Sequence, residues 1–412
     1  METTKKRPYI RGYSLIINSA IAWWISAGLT TSGLNVWVPA YVAKFGWDNS
    51  SLLMWSTVGG ILSVIGSFVF SSIVMKKGTR WVSAITYILA GIVAICMGFV
   101  TNMAGYAIFV ILGQILSVGY SGTTTNTLIG NWFPKSKAVI LGITTMGMPL
   151  AACLFVPLLS ALISNFGLTN AFVIIGVITI LIGIACIFWI RDYPSECGFY
   201  PENKPELAKQ EATLSEFKSQ WTLGKLLCNK NAWFIAIAYG LLFLVTQGMV
   251  SQTVSYLVEF GLEQAKAVST LSMCSLIGIG GSFIWGILDQ KLGTKAASLI
   301  YAGWYIVVFC LLRLQPSYAV VMVGCVMLGF AIGGIGNLQP SMIMTAFGVK
   351  EFASVNRVVW TIATLIRAFA FLAMSIGLKL FGSYQGATVI FLGCAVVAFI
   401  LICFINKKDC AE

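Results

Sequence analysis

The 412-residue chain has little charge and no histidine. Charged residues make up 10% of it, whereas a soluble domain carries roughly a quarter. Hydrophobic residues make up 58%, and runs of ~20 apolar residues, each able to cross a ~30 Å hydrocarbon core as a helix, recur along the whole length. The composition therefore predicts an integral membrane protein. It excludes any histidine metal site, histidine base or histidine pH switch.

Sequence signatures of enzymes and of metal sites are missing as well. There is no phosphate-binding Gly-x-x-x-x-Gly-Lys-Ser/Thr loop, no Gly-x-Ser-x-Gly elbow and no cluster of metal ligands, so we expect no enzymatic activity, no cofactor and no metal. The eleven cysteines lie scattered, mostly in apolar stretches, which is typical of small buried residues rather than disulfides. Because the basic residues behind the net charge of +12 fall mainly in alternate loops, we expect no nucleic-acid partner.

We predict an all-α membrane protein with about twelve transmembrane helices in two homologous six-helix halves. The expected spans of the first half are residues 14–42, 51–75, 81–101, 105–131, 138–165 and 168–190. Those of the second are residues 231–258, 265–289, 296–314, 317–345, 352–380 and 385–406. The expected division is an N-terminal half at 1–190, a polar cytoplasmic linker at 191–230 with one short amphipathic helix near 207–217, and a C-terminal half at 231–412.

An internal repeat at a fixed offset along the chain supports the two halves. The pentapeptide Lys-Lys-Gly-Thr-Arg at 76–80 returns as Lys-Leu-Gly-Thr-Lys at 291–295. The same offset pairs Gly119 with Gly334, Lys135 with Lys350, and the Phe166-Gly167 step with Phe381-Gly382. Two related membrane halves are typical of a large class of secondary transporters.

The placement of lysine and arginine predicts the orientation, since cytoplasmic loops are enriched in both. With the N-terminus inside, 20 of the 26 fall in cytoplasmic segments and four in outside loops. The remaining two, Arg357 and Arg367, lie in the eleventh span. We therefore expect a multi-pass protein with both termini in the cytoplasm, located in a bacterial inner membrane and acting as a monomer in the lipid bilayer.

The turn after the second span resembles the major facilitator superfamily motif Gly-x-x-x-Asp-Arg/Lys-x-Gly-x-Arg/Lys. The pattern begins here at Ser71, and its copy after the eighth span begins at Gly286. Both copies lack the acid at the family position, although Asp289 stands one residue early in the second. The resemblance covers essentially the whole chain and implies the major facilitator fold. It also implies gating roles for Lys76, Lys77, Gly78, Arg80, Asp289, Gly293 and Lys295.

A narrower likeness points to the oxalate/formate antiporter and monocarboxylate transporter group. It rests on Asn131-Trp132-Phe133-Pro134-Lys135 before the fifth span and on Phe347-Gly348-Val349-Lys350 before the eleventh. In the oxalate/formate group, one cation on span 8 and one on span 11 clamp a dicarboxylate. Here span 8 has no internal cation, which favours a monocarboxylate.

Arg367 lies in the middle of the eleventh span, at a depth where the chain has no carboxylate. A charge there costs roughly 2.5–3.5 kcal/mol even on a lenient insertion scale and needs a partner. We expect the substrate to be that partner, because a guanidinium can grip a carboxylate with two parallel hydrogen bonds. The alternative is that Arg367 bonds backbone carbonyls or amide side chains such as Gln247, Asn337 or Gln339, or extends towards the interface.

Helical spacing places further candidates beside Arg367. Asn356, Trp360, Thr364, Phe371 and Met374 fall on one stripe with it. Arg357 lies ~15 Å nearer the cytoplasm and is expected to act at an inner gate. Other pocket candidates are Trp24, Asn35, Tyr120, Asn126, Gln247, Asn337 and Gln339, each of which has helix packing as its ordinary alternative. Gly147 and Pro149 in span 5 are expected hinge residues.

These observations predict a secondary transporter of a small organic anion, with anion exchange favoured because the expected spans hold no acid or histidine for a proton relay. Three alternatives stay open. The first is a proton-coupled carboxylate symporter, in which protons are a second transported species. The second is a carrier of neutral or zwitterionic solutes with a structural Arg367, and the third is a sensor built on the same scaffold.

Overall fold

The computed structural model describes residues 10–134, 136–204, 220–314, 317–348 and 351–405. The described residues are helical apart from the turns that connect the helices, and they contain no strand. The amphipathic helix expected near 207–217 lies outside the described residues. So do several basic residues used above to predict orientation or gating, namely Lys5, Lys6, Arg7, Lys135, Lys350, Lys407 and Lys408.

Twelve long helices, which we number α1 to α12, run through the described chain, and the described part of the linker adds a short α-helix, Leu223–Cys228, and the 3-10 turns Pro194–Cys197 and Pro201–Asn203. In the first half α1 spans residues 10–45, α2 Asn49–Lys77, α3 Thr79–Gly98, α4 Met103–Trp132, α5 residues 137–166 and α6 residues 168–189. In the second half α7 spans Lys230–Glu259, α8 Gln264–Leu292, α9 Thr294–Leu314, α10 Tyr318–Ile332 with Ile335–Phe347, α11 Phe352–Ala368 with Ala370–Phe381, and α12 Tyr384–Phe404.

Length and hydropathy alone mark nine of the described helical stretches as able to cross a membrane, or ten if the bent pair of α10 counts as one span. One of the nine, Ile140–Trp189, has 50 residues, which would make a straight helix about 75 Å long. Gly167 breaks it with φ of +79°, so it supplies two crossings, α5 and α6. With α1, these make the twelve expected spans.

The two halves repeat each other in backbone detail. Gly78 and Gly293, which the repeat offset makes equivalent, both end a helix with φ of +81°. The Tyr41 hydroxyl donates to the Met97 carbonyl, and at the same offset the Tyr256 hydroxyl donates to the Leu312 carbonyl. The internal repeat read from the sequence is therefore present in the fold.

Irregular backbone recurs at matching places too. A π-helical stretch at Gly119–Thr123 in α4 corresponds to the 47° bend of α10 between Ile332 and Ile335. A second π-helical stretch, Ala151–Phe155 in α5, corresponds to the break of α11 at Phe369. Helices that bend at equivalent depths in both halves surround the centre of the molecule.

The two halves meet mainly at one end of the bundle. We call it the Gly46 end, after one of its four positive-φ turns at Gly46, Gly167, Gly261 and Gly382. The opposite end, with the turns at Gly78, Gly293 and Gly348, is the Gly78 end. Between described residues, the hydrogen bonds that join the halves run from Asn35 and Asn49, and from Ser375 to Ser50, all on the Gly46 side. The bundle is therefore clasped at the Gly46 end.

At the Gly78 end, each half fastens its own motif turn to its own last helix. The Asp192 carboxylate, just beyond α6, accepts hydrogen bonds from the Thr79 backbone and hydroxyl and from the Arg80 backbone N–H. In return, Arg80 Nε donates to the Ile187 carbonyl at 2.6 Å. In the second half, Lys295 Nζ donates to the Cys403 and Ile405 carbonyls, both at 2.8 Å. Acids stabilise helix N-termini and cations stabilise C-termini.

We expect Gly78→Ala to lower the thermal stability of the purified protein more than Gly293→Ala does. Both positions have positive φ, which costs a non-glycine residue about 1–3 kcal/mol. Only at Gly78 would the new Cβ also lie 2.2 Å from Asp192 Oδ2, whereas nothing lies within 4 Å at Gly293. The apparent Tm from tryptophan fluorescence tests this, and in an Asp192→Ala background the two substitutions should cost the same. Equal losses in the native background would contradict the proposed contact.

Candidate substrate-binding site

Arg367 lies on α11 between two close helix contacts. One residue before it, Ile366 packs against Gly240 of α7, where an added Cβ would lie 2.9 Å from Ile366 Cβ. One residue after it, Ala368 packs against Gly60 of α2, with the corresponding distance 3.1 Å. Glycine at both contacts lets the helices approach closely. Arg367 therefore lies where a helix of the first half and a helix of the second half converge.

The face of α11 between these two contacts carries the polar residues. At 3.6 residues per turn, Asn356, Trp360, Thr364 and Arg367 fall in the arc between the α7 side and the α2 side. The opposite arc consists of Val358, Ile362, Leu365 and Phe369, of which Leu365 and Phe369 are each 40% exposed. Because the exposed arc is apolar, it faces lipid, and the polar arc faces the interior of the bundle.

Within the described part of the chain, the Arg367 guanidinium has no protein counter-ion. The one ion pair between described residues joins Lys204 and Glu202 in the linker. No described carbonyl or amide side chain accepts a hydrogen bond from Arg367, and of the amides considered above Asn337 instead donates to Ser282 of α8, at 3.0 and 3.1 Å. A half-buried guanidinium thus remains free to bind an anion from the interior.

Aromatic and amide side chains lie on the same side of α11 and α7. The Trp360 ring packs edge-on against Phe243 of α7, with 5.5 Å between ring centroids, and Trp360 keeps 38% of its surface exposed. Gln247, half-buried, lies one helical turn beyond Phe243 on the same face of α7. The second half therefore offers a cation, an aromatic pair and an amide along one wall.

Across from that wall, α2 presents small hydroxyl side chains. Ser56, Ser63 and Ser67 share the face of α2 that carries Gly60, and their spacing of seven and four residues keeps them in one row. Ser63 and Ser67 donate back to carbonyls of their own helix. The first half contributes neutral polar groups and no acid opposite Arg367.

The remaining predicted pocket residues lie outside the Arg367 stripe of α11. Phe371 lies beyond the break of α11 at Phe369 and is fully buried, as is Met374, so the predicted stripe ends at Arg367. Tyr120 stacks on Tyr87 inside the first half, with centroids 4.2 Å apart. Trp24 packs on Phe155, Asn126 is exposed, Gln339 is fully buried without a described partner for its amide, and Asn35 bridges α1 and α7. Their contacts with a substrate stay predictions.

The predicted gating residues lie at the Gly78 end or in helices that start from it. Lys76, Lys77 and Arg357 are exposed. Asp289 has one buried carboxylate oxygen with no described hydrogen-bond partner. In α5, Gly147 packs so tightly on α1 that an added Cβ would clash with the Ala20 carbonyl, and Pro149 lies in the short α-helical turn Gly147–Leu150 directly before the π-helical stretch Ala151–Phe155. Their roles in gating stay predictions.

Sequence reasoning missed Asp192 and Phe243. The missing motif acid was a signal for Asp192, because the start of a helix at Thr79 has unpaired backbone N–H groups that an acid from elsewhere in the chain can bind. Phe243 had no such signal. Its position four residues before Gln247 could have placed it on the same face of α7.

The profile of the Major Facilitator Superfamily matches residues 20–371. The chain belongs to this superfamily. It is a multi-pass membrane transporter and not an enzyme, which agrees with the resemblance read from the sequence.

Three curated relatives give the range of the similarity. The inner membrane transport protein RhmT of Escherichia coli is 26% identical over 393 residues, covering 90% of this chain and 84% of the relative. The membrane sensor protein UhpC of the same organism is 22% identical over 312 residues, covering 73% and 71%. The oxalate:formate antiporter of Oxalobacter formigenes is 27% identical over 266 residues, covering 62% and 59%.

A solved structure shows the same fold. A bacterial homologue of the lysosomal transporter Spinster, in an inward-facing and unoccupied conformation, aligns with a TM-score of 0.73 at 15% identity, covering 97% of each chain. At this level of identity the likeness establishes the fold alone.

We expect Thr364→Cys to react with a charged, water-soluble thiol reagent much faster than Leu365→Cys. The two residues are neighbours on α11, but Thr364 lies on the interior arc and Leu365 on the lipid arc, where a charged reagent is excluded. The measurement is the labelling rate in membrane vesicles, in a background with the exposed Cys228, Cys310 and Cys403 changed to serine. Equal rates at both positions would mean that this assignment of faces is wrong.

Proposed function

We propose that this secondary transporter moves a small organic anion, with a monocarboxylate favoured, and that Arg367 binds the carboxylate. The observation that carries the proposal is the half-buried guanidinium without a described protein partner, on the interior face of α11. A charge held inside a membrane protein needs compensation. A substrate carboxylate would supply it with two parallel hydrogen bonds.

The surroundings of Arg367 favour one carboxylate over two. The only cations of α8 are Lys266 in its first turn and Lys291 in its last. No second guanidinium or ammonium of α8 therefore lies at the depth of Arg367. The exposed Trp360 face, packed on Phe243, would instead accept an apolar body. The similarity to the oxalate:formate antiporter adds support for an anionic substrate.

We further propose alternating access between the halves at 1–190 and 231–412, joined by the linker at 191–230. With the Gly78 end in the cytoplasm, as the basic residues predict, the hydrogen-bonded Gly46 end would be the closed outer side. The substrate would then enter or leave from the cytoplasmic side in this conformation. Rocking of one half against the other around a fixed central site is the usual motion of such folds.

Anion exchange is the favoured mode of transport. Within the described chain, no acid or histidine lies beside Arg367 to carry a proton through the site. If the site were empty while the halves reorient, the guanidinium would have no counter-ion. In an exchanger an anion occupies the site during both reorientations, inward to outward and back, and so compensates the charge each time. Proton-coupled symport is the alternative, with the proton travelling on the substrate.

Arg367→Gln should abolish or strongly reduce anion uptake into proteoliposomes preloaded with candidate carboxylates. A hydrogen bond to a charged group contributes about 1.5–3 kcal/mol, so the loss should be about 10–100-fold in apparent affinity. Arg367→Lys should retain part of the affinity, because it keeps the charge but not the planar fork. Arg313→Gln is the matched control, because Arg313 is an exposed arginine at the Gly46 end with no predicted role in binding or gating.

Normal uptake by a folded Arg367→Gln protein would show that the arginine is structural and would move the search to neutral and zwitterionic solutes. An imposed pH gradient then separates the two modes of transport. Exchange should need anion on the far side and ignore the gradient, whereas symport should follow the gradient with empty vesicles. No uptake of any solute by the native protein would favour a sensor.

A further inference from the structure

The Asn35 side chain of α1 makes two hydrogen bonds to the backbone of α7. Its Nδ2 donates to the Val250 carbonyl at 2.7 Å, and its Oδ1 accepts from the Val254 N–H at 2.9 Å. Asn35 is fully buried, and its Nδ2 also donates to Ser32 of its own helix at 2.9 Å. The amide therefore uses both of its polar atoms to join the two halves.

The two backbone groups that Asn35 binds are the natural partners of each other. In an α-helix the N–H of residue i bonds the carbonyl of residue i−4, and Val254 and Val250 have that spacing. The amide bonds both groups at once, the carbonyl through Nδ2 and the N–H through Oδ1. When the amide leaves, the helical spacing of Val254 and Val250 lets the two groups satisfy each other.

This contact lies on the axis that relates the two halves. The offset that pairs Gly78 with Gly293 also pairs Asn35 with Val250, so the asparagine touches its own counterpart. A contact between equivalent residues of two related halves lies at their common axis. The axis runs through the centre of the bundle, which makes Asn35 the central closure at the Gly46 end.

Further polar contacts surround the Asn35 contact. Asn49 of α2 donates to the Tyr384 hydroxyl, which in turn donates to Gln252 of α7 at 3.1 Å. Ser375 of α11 donates to the Ser50 carbonyl at 3.0 Å. All of these groups lie on the Gly46 side of Arg367, so they close the same end of the interior.

We propose that Asn35 is the central clasp of the Gly46 end, and that opening this end breaks the Asn35 bridge to α7. The Val254 N–H and the Val250 carbonyl have the spacing of helical partners, so both have a partner in the closed and in the open state and neither state carries an unsatisfied buried group at this point. Water then binds the released amide. The buried polar contact can therefore open reversibly.

The test measures distances across each end by double electron–electron resonance between paired spin labels. One pair, at Lys44 and Glu263, spans the Gly46 end, and the other, at Met75 and Gln290, spans the Gly78 end; all four positions are exposed. The background lacks the exposed cysteines. Asn35→Leu cannot bridge α7, so we expect a longer distance at the Gly46 end together with a shorter one at the Gly78 end.

Asn35→Asp makes the test independent of folding differences between variants, since one protein is compared at two pH values. An ionised carboxylate accepts from the Val254 N–H but cannot donate to the Val250 carbonyl, so the Gly46 end should open at pH 8. The protonated acid both donates and accepts, so the end should close again at pH 5. Other titratable or charged groups near this end include Asp48, Tyr256, Glu259, Lys266, Arg313, Lys379 and Tyr384. The spin-labelled protein with the native Asn35, compared at the same two pH values, controls for them.

Asn165→Ala is the matched control, because Asn165 is an exposed asparagine near Gly167 at the same end that bonds only within α5. Its distances should equal those of the native protein. Unchanged distances in Asn35→Leu, or an Asn35→Asp protein with the same distances at both pH values, would overturn the proposal. Opposite movement of the two ends, reversed by acid in Asn35→Asp, would establish it.

Discussion

Inside a bilayer, every polar group must find its partner within the protein, because no water is available at that depth. Two side chains within the spans show how this chain meets the constraint. Asn35 donates hydrogen bonds to, and accepts them from, the backbone of α7, whereas Arg367 has no described partner. The first joins two helices, and the second leaves a binding capacity for something that the protein does not itself supply.

The fold was predictable to a large extent, because hydrophobic length and the repeat act on the whole chain. Twelve spans and two related halves follow from runs of apolar residues and from glycines such as Gly78 and Gly293, whose positive φ recurs at equivalent positions. The bends were less accessible. Gly147 and Pro149 mark the irregular part of α5, but nothing in the local sequence distinguishes the break at Phe369 from continuous helix, since it depends on how neighbouring helices pack.

The candidate site was predictable where it depends on one helix and not where it depends on several. Helical spacing placed Asn356, Trp360 and Thr364 beside Arg367, but it continued the stripe to Phe371 because it assumed an unbroken α11. The role of Asn35 could not be read from the sequence. Its partners are backbone groups of a helix in the other half of the chain, and backbone groups leave no trace in residue types.

The repeat itself explains where the function should be sought. Symmetry between the halves supplies a scaffold in which one half can rock against the other. If the symmetry were exact, however, both halves would present the same side chains to a substrate and to each other. The chemically distinctive residues are those whose counterparts differ: Arg367 corresponds to Ala152, which is buried in packing, and Asn35 corresponds to Val250. At both pairs one half supplies a polar side chain and the other an apolar one. In the proposed carrier, the second half thus supplies the binding residue Arg367 and the first half supplies the clasp residue Asn35.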